Sequence, residues 1–187
     1  MTSVSAVTDT PLVTGEQLLR LKNLGPCELV EGRIVRMSPT GAQHGLVEVN
    51  VADALQRFVR PKQLGWVLSG EVGVYTRRNP DTVRAADVLF VSRARLPELP
   101  ARGFLEVAPE LVVEIVSPSD SQKELQQKIR EYRAIGVHWV WVVEPETRRV
   151  RVYRQEGAPQ ELSESDTLVG EGILTGLELQ VAQLFES

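Results

Sequence analysis

Two apolar runs, each interrupted by one acid, constrain this chain more than any other feature. The first is Val83-Arg84-Ala85-Ala86-Asp87-Val88-Leu89-Phe90-Val91 and the second is Leu111-Val112-Val113-Glu114-Ile115-Val116. Branched and apolar residues in unbroken runs of this length predict strands buried on both faces. A carboxylate in such a strand needs a partner, because an unpaired buried charge is costly enough to take up a proton instead. Asp87 and Glu114 therefore predict a third group that meets them.

The following segment offers one. Ser121-Gln122-Lys123-Glu124 fits a capping box that opens a helix, and Gly136 fits the left-handed cap that closes it. Leu125, Ile129 and Tyr132 recur at helical spacing and Lys128 falls on the same stripe, whereas Lys123, Arg130 and Arg133 lie off it as solvated charges. A helix returning across the Glu114 strand aims the Lys128 ammonium at the sheet. The plainer account of the same spacing is a buried Glu114–Lys128 ion pair with Asp87 nearby by chance.

Earlier in the chain, Thr14-Gly15-Glu16-Gln17 offers a second capping box for a short helix through Leu18, Leu19 and Leu21. Glu31-Gly32 reads as the turn of a hairpin between Glu28-Leu29-Val30 and residues 33–37. Val47, Val51, Ala54, Leu55 and Phe58 predict a long helix over 43–59, with His44 in its opening turn and Glu48 one turn later. A lone histidine there is more often a surface or capping group than a functional one. Residues 65–76 read as two short strands broken near Ser69-Gly70, and 92–109 as a proline-bearing loop long enough to serve as a binding element. A further buried strand spans 137–143, with Trp139 and Trp141 as packing residues, and an alternating strand spans 150–154. Short strands follow, and Val181–Phe185 reads as a last helical turn. Arg77, Arg78 and Arg84 read most simply as solvated. The succession of elements predicts an α/β or α+β fold with a mixed central sheet.

At 187 residues the chain fits one domain, 13–187, behind a tail at 1–12 that reads as disordered. The single cysteine, Cys27, leaves no disulfide and no zinc spacing, and suits a reducing compartment. The N-terminal residues lack the basic and apolar blocks of a signal peptide, and no run approaches membrane-spanning length, so the expectation is a cytoplasmic protein that does not engage a membrane. A net charge of −4 argues mildly against a general nucleic-acid binder, an objection that weakens where acids hold a divalent cation. Two carboxylates and a lysine converging from two strands and a helix suit that chemistry. Hard oxygens take Mg²⁺ or Mn²⁺, the metal supplies hydroxide near neutral pH, and the ammonium neutralises charge developing on a phosphodiester.

Glu28-Leu29-Val30-Glu31-Gly32, Met37-Ser38-Pro39, His44, Val83 to Val88, the run from Ala108 to Asp120, Lys128, Tyr132 and Gly136-Val137 together resemble the Uma-two family of restriction endonucleases, within the PD-(D/E)XK nuclease superfamily. The resemblance runs from about Thr14 to the C-terminus, and Ala-Pro-Glu-Leu-Val-Val-Glu-Ile-Val-Ser-Pro-Ser-Asp is its most specific part. It implies a restriction-endonuclease-like core, helix, three strands, helix, strand, with an additional N-terminal hairpin. It also implies Asp87 and Glu114 as ligands of Mg²⁺ or Mn²⁺, Lys128 as the catalytic lysine, Glu31 and His44 as further functional positions, and DNA as substrate. Two departures stand out. Ala86 occupies the place of a proline, and Val116 that of the superfamily's lysine two residues after the glutamate, which the resemblance relocates to Lys128. A homodimer is expected, since two-fold symmetry presents two sites to two strands. The competing expectation is a nuclease-fold protein that no longer cuts and serves as a nucleic-acid-binding or assembly module.

Overall fold

The computed structural model describes residues 11–118 and 120–187; the tail expected at 1–12 lies almost wholly outside them. The sheet is assembled around β4 (Thr82–Ser92), every residue of which is buried. One edge of β4 pairs antiparallel with β3 (Gly65–Arg77). The opposite edge is divided. β5 (Leu111–Ile115) pairs with Val88 to Phe90, and β1 (Cys27–Val30) pairs only at Leu29 with Val83. β2 (Arg33–Arg36) lies outside β1, while β6 (Trp139–Glu144), β7 (Arg149–Arg154) and β8 (Gln160–Leu162) extend the other flank. The β5–β6 pair is parallel, which requires the crossover supplied by α3 (Gln122–Ala134). The result is an eight-stranded mixed sheet, with β9 (Thr167–Val169) and β10 (Glu178–Gln180) as a separate small pair.

Two apolar layers flank this sheet. α2 (Ala42–Val59) buries Val47, Val51, Leu55 and Val59 against Val88, Phe90, Leu111, Val113 and Ile115, and Leu168, Leu174 and Leu184 complete that layer. α3 buries Leu125, Ile129 and Tyr132 against Leu89, Val91, Val112, Val140 and Val142. Alternation along β5 thus sends Leu111, Val113 and Ile115 one way and Val112 and Glu114 the other. Each fully buried Val, Leu or Ile contributes about 1.5–3 kcal/mol, so a one-residue slip that exchanged the faces is heavily disfavoured. The same register fixes Glu114 on the α3 side.

Local chemistry sets the element ends. α1 (Gly15–Leu18) carries both arms of its capping box, Gln17 N–H to Thr14 Oγ1 at 3.2 Å and Thr14 N–H to Gln17 Oε1 at 2.8 Å. It stops short of Leu21. Glu31 and Gly32 turn the first hairpin at φ values of 49° and 75°, the left-handed pair that a two-residue turn of this hand requires. β3 is a single strand. The break expected near Ser69 is a bulge between Ser69 and Val72, where Glu48 Oε1 accepts the displaced Gly70 N–H at 2.8 Å. The loop after β4, expected as a binding element, covers the edge of β3: Tyr75 N–H donates to Leu105 O at 2.9 Å and Leu105 N–H to Gly73 O at 2.8 Å. Among the described residues no helix is long and apolar enough to cross a membrane.

Candidate active site

The divided edge of β4 is where the site forms. Between Val83, paired to β1, and Val88, paired to β5, the backbone of β4 lacks a ladder partner on that side, and side chains take over. Glu28 Oε1 accepts the Ala85 N–H at 3.0 Å, and Lys128 Nζ donates to the Ala85 carbonyl at 3.3 Å. Asp87 Oδ2 accepts the Ile115 N–H at 2.6 Å, which ties the acid of β4 to the end of β5.

Around this gap the structure brings together four of the five residues singled out above. Glu114, 6% exposed, is met on Oε2 by Lys128 Nζ at 2.9 Å and on Oε1 by the Tyr132 hydroxyl at 2.8 Å. Lys128 reaches it from α3, one turn ahead of Tyr132. His44, from the first turn of α2, sets Nε2 3.4 Å from Asp87 Oδ2. Its Nδ1 is the one fully buried side-chain polar atom among the described residues without a hydrogen-bond partner. The fifth, Glu31, stands apart. It sits at the hairpin tip with its carboxylate exposed and 2.6 Å from Arg77, and it does not line the cavity.

Two participants went unrecognised in the sequence. Glu28, 5% exposed, places Oε1 3.0 Å from Lys128 Nζ and Oε2 2.8 Å from Arg84 Nη1. Arg84 itself, expected to be solvated, is buried and is clamped from behind by Glu131 through Nε at 2.6 Å and Nη2 at 2.9 Å. For Arg84 the signal was present in the sequence. An arginine inside Val83-Arg84-Ala85-Ala86 is as anomalous in a buried strand as Asp87 is, and one lysine cannot by itself balance three buried acids.

Protonation follows from this crowding. Burial raises the Glu114 carboxyl to about 7, with the Lys128 charge pulling it down and Asp87 pushing it further up. Burial alone would lower Lys128, yet the charges of Glu114 and Glu28 hold its ammonium well above the usual lysine range. The hydrogen bond to Asp87 raises His44 against the opposing effect of burial. Tyr132 is pushed well above the ordinary phenol value by burial and by Glu114, so it stays a neutral donor.

His44, Asp87, Glu114 and Lys128 line a cavity of about 370 Å³ together with the segment from Arg36 to Thr40 and the start of α3. Its wall carries the carboxylates of Glu28, Glu71, Asp87, Glu114, Asp120 and Glu124 against only Arg36, Arg84 and Lys128. Such an excess of hard oxygen favours a cation. Among the described residues no three His, Cys, Asp or Glu side chains form a ready-made cage. Mg²⁺ keeps several waters and is held by one or two carboxylates together with substrate oxygens, so it needs no such cage. The donor set, with Asp87 and Glu114 facing one cavity, fits such an ion. A larger groove of about 630 Å³ between α2 and the C-terminal residues holds no comparable buried cluster; its Asp53–Arg57 pair is exposed.

The protein is thus a mixed α/β fold, a sheet between two helical layers, with acids from adjacent strands and a helix-borne lysine at a split strand edge. A family model, Uma2, described as "Putative restriction endonuclease", matches residues 16–182, and the chain belongs to that family. The fold is similar to the crystal structure of a "putative nuclease belonging to DUF820" from Anabaena variabilis ATCC 29413, with a TM-score of 0.78 and 22% identity over 92% of this chain and 97% of that one. No curated protein matches the chain. The resemblance read from the Ala108–Asp120 run and the restriction-endonuclease-like fold class are both borne out.

Proposed function

We propose that this protein is a metal-dependent endonuclease that hydrolyses phosphodiester bonds in DNA, with Asp87 and Glu114 holding Mg²⁺ or Mn²⁺ and Lys128 acting on the substrate. The observation that carries the reading is the meeting of two buried strand acids and a helix lysine in one cavity whose wall carries more acids than bases. Bound there, the ion would supply a water acidic enough to attack near neutral pH and a positive centre for the phosphate oxygens. The chain supplies the rest. Asp87 is oriented by the Ile115 N–H and Glu114 by Tyr132, so neither carboxylate has to be ordered when substrate arrives. Lys128, kept protonated by its neighbours, offers its charge to the oxygen that gains electron density in the transition state. His44 approaches the same Asp87 oxygen, Oδ2, that accepts the Ile115 N–H. The reading includes action in the cytoplasm as a homodimer, because a two-fold pair presents two such sites to the two strands of a duplex. Light scattering that returns a dimer mass supports that part, and a strict monomer removes it.

Plasmid nicking and calorimetric titration of Mn²⁺ on the same variants test the core of the proposal. Asp87→Ala and Glu114→Ala are expected to lose both metal binding and cutting, whereas Lys128→Ala is expected to bind metal without cutting. A second reading, a binding or assembly module, is favoured by the saturation of the Lys128 donors inside the protein. Wild-type protein that binds DNA and Mn²⁺ yet never nicks would establish it in place of the first.

A further inference from the structure

An ammonium has three N–H donors, and those of Lys128 are all engaged: by Glu114 Oε2 at 2.9 Å, by Glu28 Oε1 at 3.0 Å and by the Ala85 carbonyl at 3.3 Å. Lys128 can therefore touch a substrate oxygen only by giving up one of its contacts. The carbonyl contact is the longest, but Ala85 is buried on an edge without a ladder partner, so giving it up would leave an unpaired acceptor, and the choice lies between the two carboxylates.

They are not equivalent. Glu28 is fixed by a backbone donor, Ala85 N–H, and by the Arg84 guanidinium, which Glu131 holds in a two-point clamp. A charge-assisted contact to a planar, doubly anchored guanidinium is strong and leaves little rotational freedom. Glu114 has, besides Lys128, only the neutral Tyr132 hydroxyl, and it lies beside the like charge of Asp87. The ordering of these restraints makes Glu114 the partner that Lys128 releases and Glu28 the one it keeps.

We infer that Glu28 is a positioning residue for Lys128: it holds the ammonium at the cavity when the Glu114 contact opens, with Arg84 and Glu131 as its rigid backing. The inference rests on the proposed role of Lys128 toward a phosphodiester. A merely structural Glu28, tying the first hairpin to β4, would involve the same contacts but would treat Glu28 and Glu114 alike as restraints on Lys128.

The test is the rate at which acetic acid N-hydroxysuccinimide ester acetylates Lys128 in the full chain, read by peptide mass spectrometry, together with kcat and KM for plasmid nicking. Glu28→Gln keeps the volume and an acceptor for Ala85 N–H but removes the charge. Both this variant and Glu114→Gln remove a charge that keeps Lys128 protonated, so Lys128 is expected to label faster than wild type in each, but Glu28→Gln, which also loses the anchor, is expected to exceed Glu114→Gln several-fold. Nicking by Glu28→Gln is expected to fall about tenfold or more in kcat with KM unchanged, as for a contact used only in the transition state. Equal labelling in the two variants, or slow labelling in Glu28→Gln, overturns the inference, as does a loss that appears only in KM. Should Glu28→Gln fail to fold, Glu131→Gln loosens Arg84 from outside the cavity, and faster labelling of Lys128 there is required in its place. If wild-type protein cuts no DNA, the labelling contrast still decides the role of Glu28, so the two readings fail separately.

Discussion

Glu114 is tolerable inside a strand whose five residues are all buried only because Lys128 and Tyr132 meet its two oxygens. Removing one partner of a buried pair is strongly destabilising, by about 3–5 kcal/mol, since the other charge is left without compensation. Lys128→Met is therefore expected to lower the thermal midpoint sharply, and added Mg²⁺ to recover more of the loss than it adds to wild type; no recovery would mean that the acids do not share an ion. Glu131 gives a cleaner pH signature. Burial would raise its carboxyl, but the hydrogen bond and charge of Arg84 win and hold it below its usual 4.5. A depressed acid stabilises the fold fully above its unfolded value and ceases to do so as pH falls from about 4.5 through the folded one. Glu131→Gln should thus flatten the acid limb of stability measured by urea unfolding between neutral pH and the acid range; an unchanged slope contradicts the clamp. Asp87, Glu114 and Lys128 were legible in the sequence because a charge in an apolar run is an anomaly. Glu28 was not, because a strand beside a hairpin turn reads as an edge, where acids are ordinary.

The α3 helix shows how far local rules reach. Its end was legible: Gly136 takes φ 94°, Gly136 N–H donates to Arg133 O at 3.1 Å and Val137 N–H to Tyr132 O at 3.0 Å, the paired bonds of a left-handed cap. Its start was legible only in position, since Ser121 is the N-cap residue but its hydroxyl makes no capping bond. The difference matters for the site, because the C-terminal cap fixes the turn that carries Tyr132. A Cβ at Gly136 would meet nothing within 4 Å, so Gly136→Ala measures backbone strain alone. It is expected to cost about 1–2 kcal/mol in denaturant unfolding without altering Mn²⁺ affinity; a change in affinity would mean that the helix end moves the cavity. The single β3 strand was misread as two because Ser69-Gly70 carries turn chemistry. A bulge satisfied by the distant Glu48 carboxylate leaves no trace in local sequence.

Across the molecule, the order of helices and strands could be read along the chain, but the division of the β4 edge between β1 and β5 could not. It depends above all on the pairing of Leu29 with Val83, more than fifty residues apart, and no local period encodes it. Yet that division makes the cavity, since it leaves Ala85 to be served by Glu28 and Lys128 and draws Asp87 against the end of β5. The proposed function requires Asp87 and Glu114 to face one cation there. Anomalous scattering from a crystal soaked in Mn²⁺ tests this most directly: a single peak per chain within bonding distance of both carboxylates, absent in Asp87→Ala, is the expected result. A peak elsewhere on the surface, or none while Glu114 stays locked to Lys128, would contradict it.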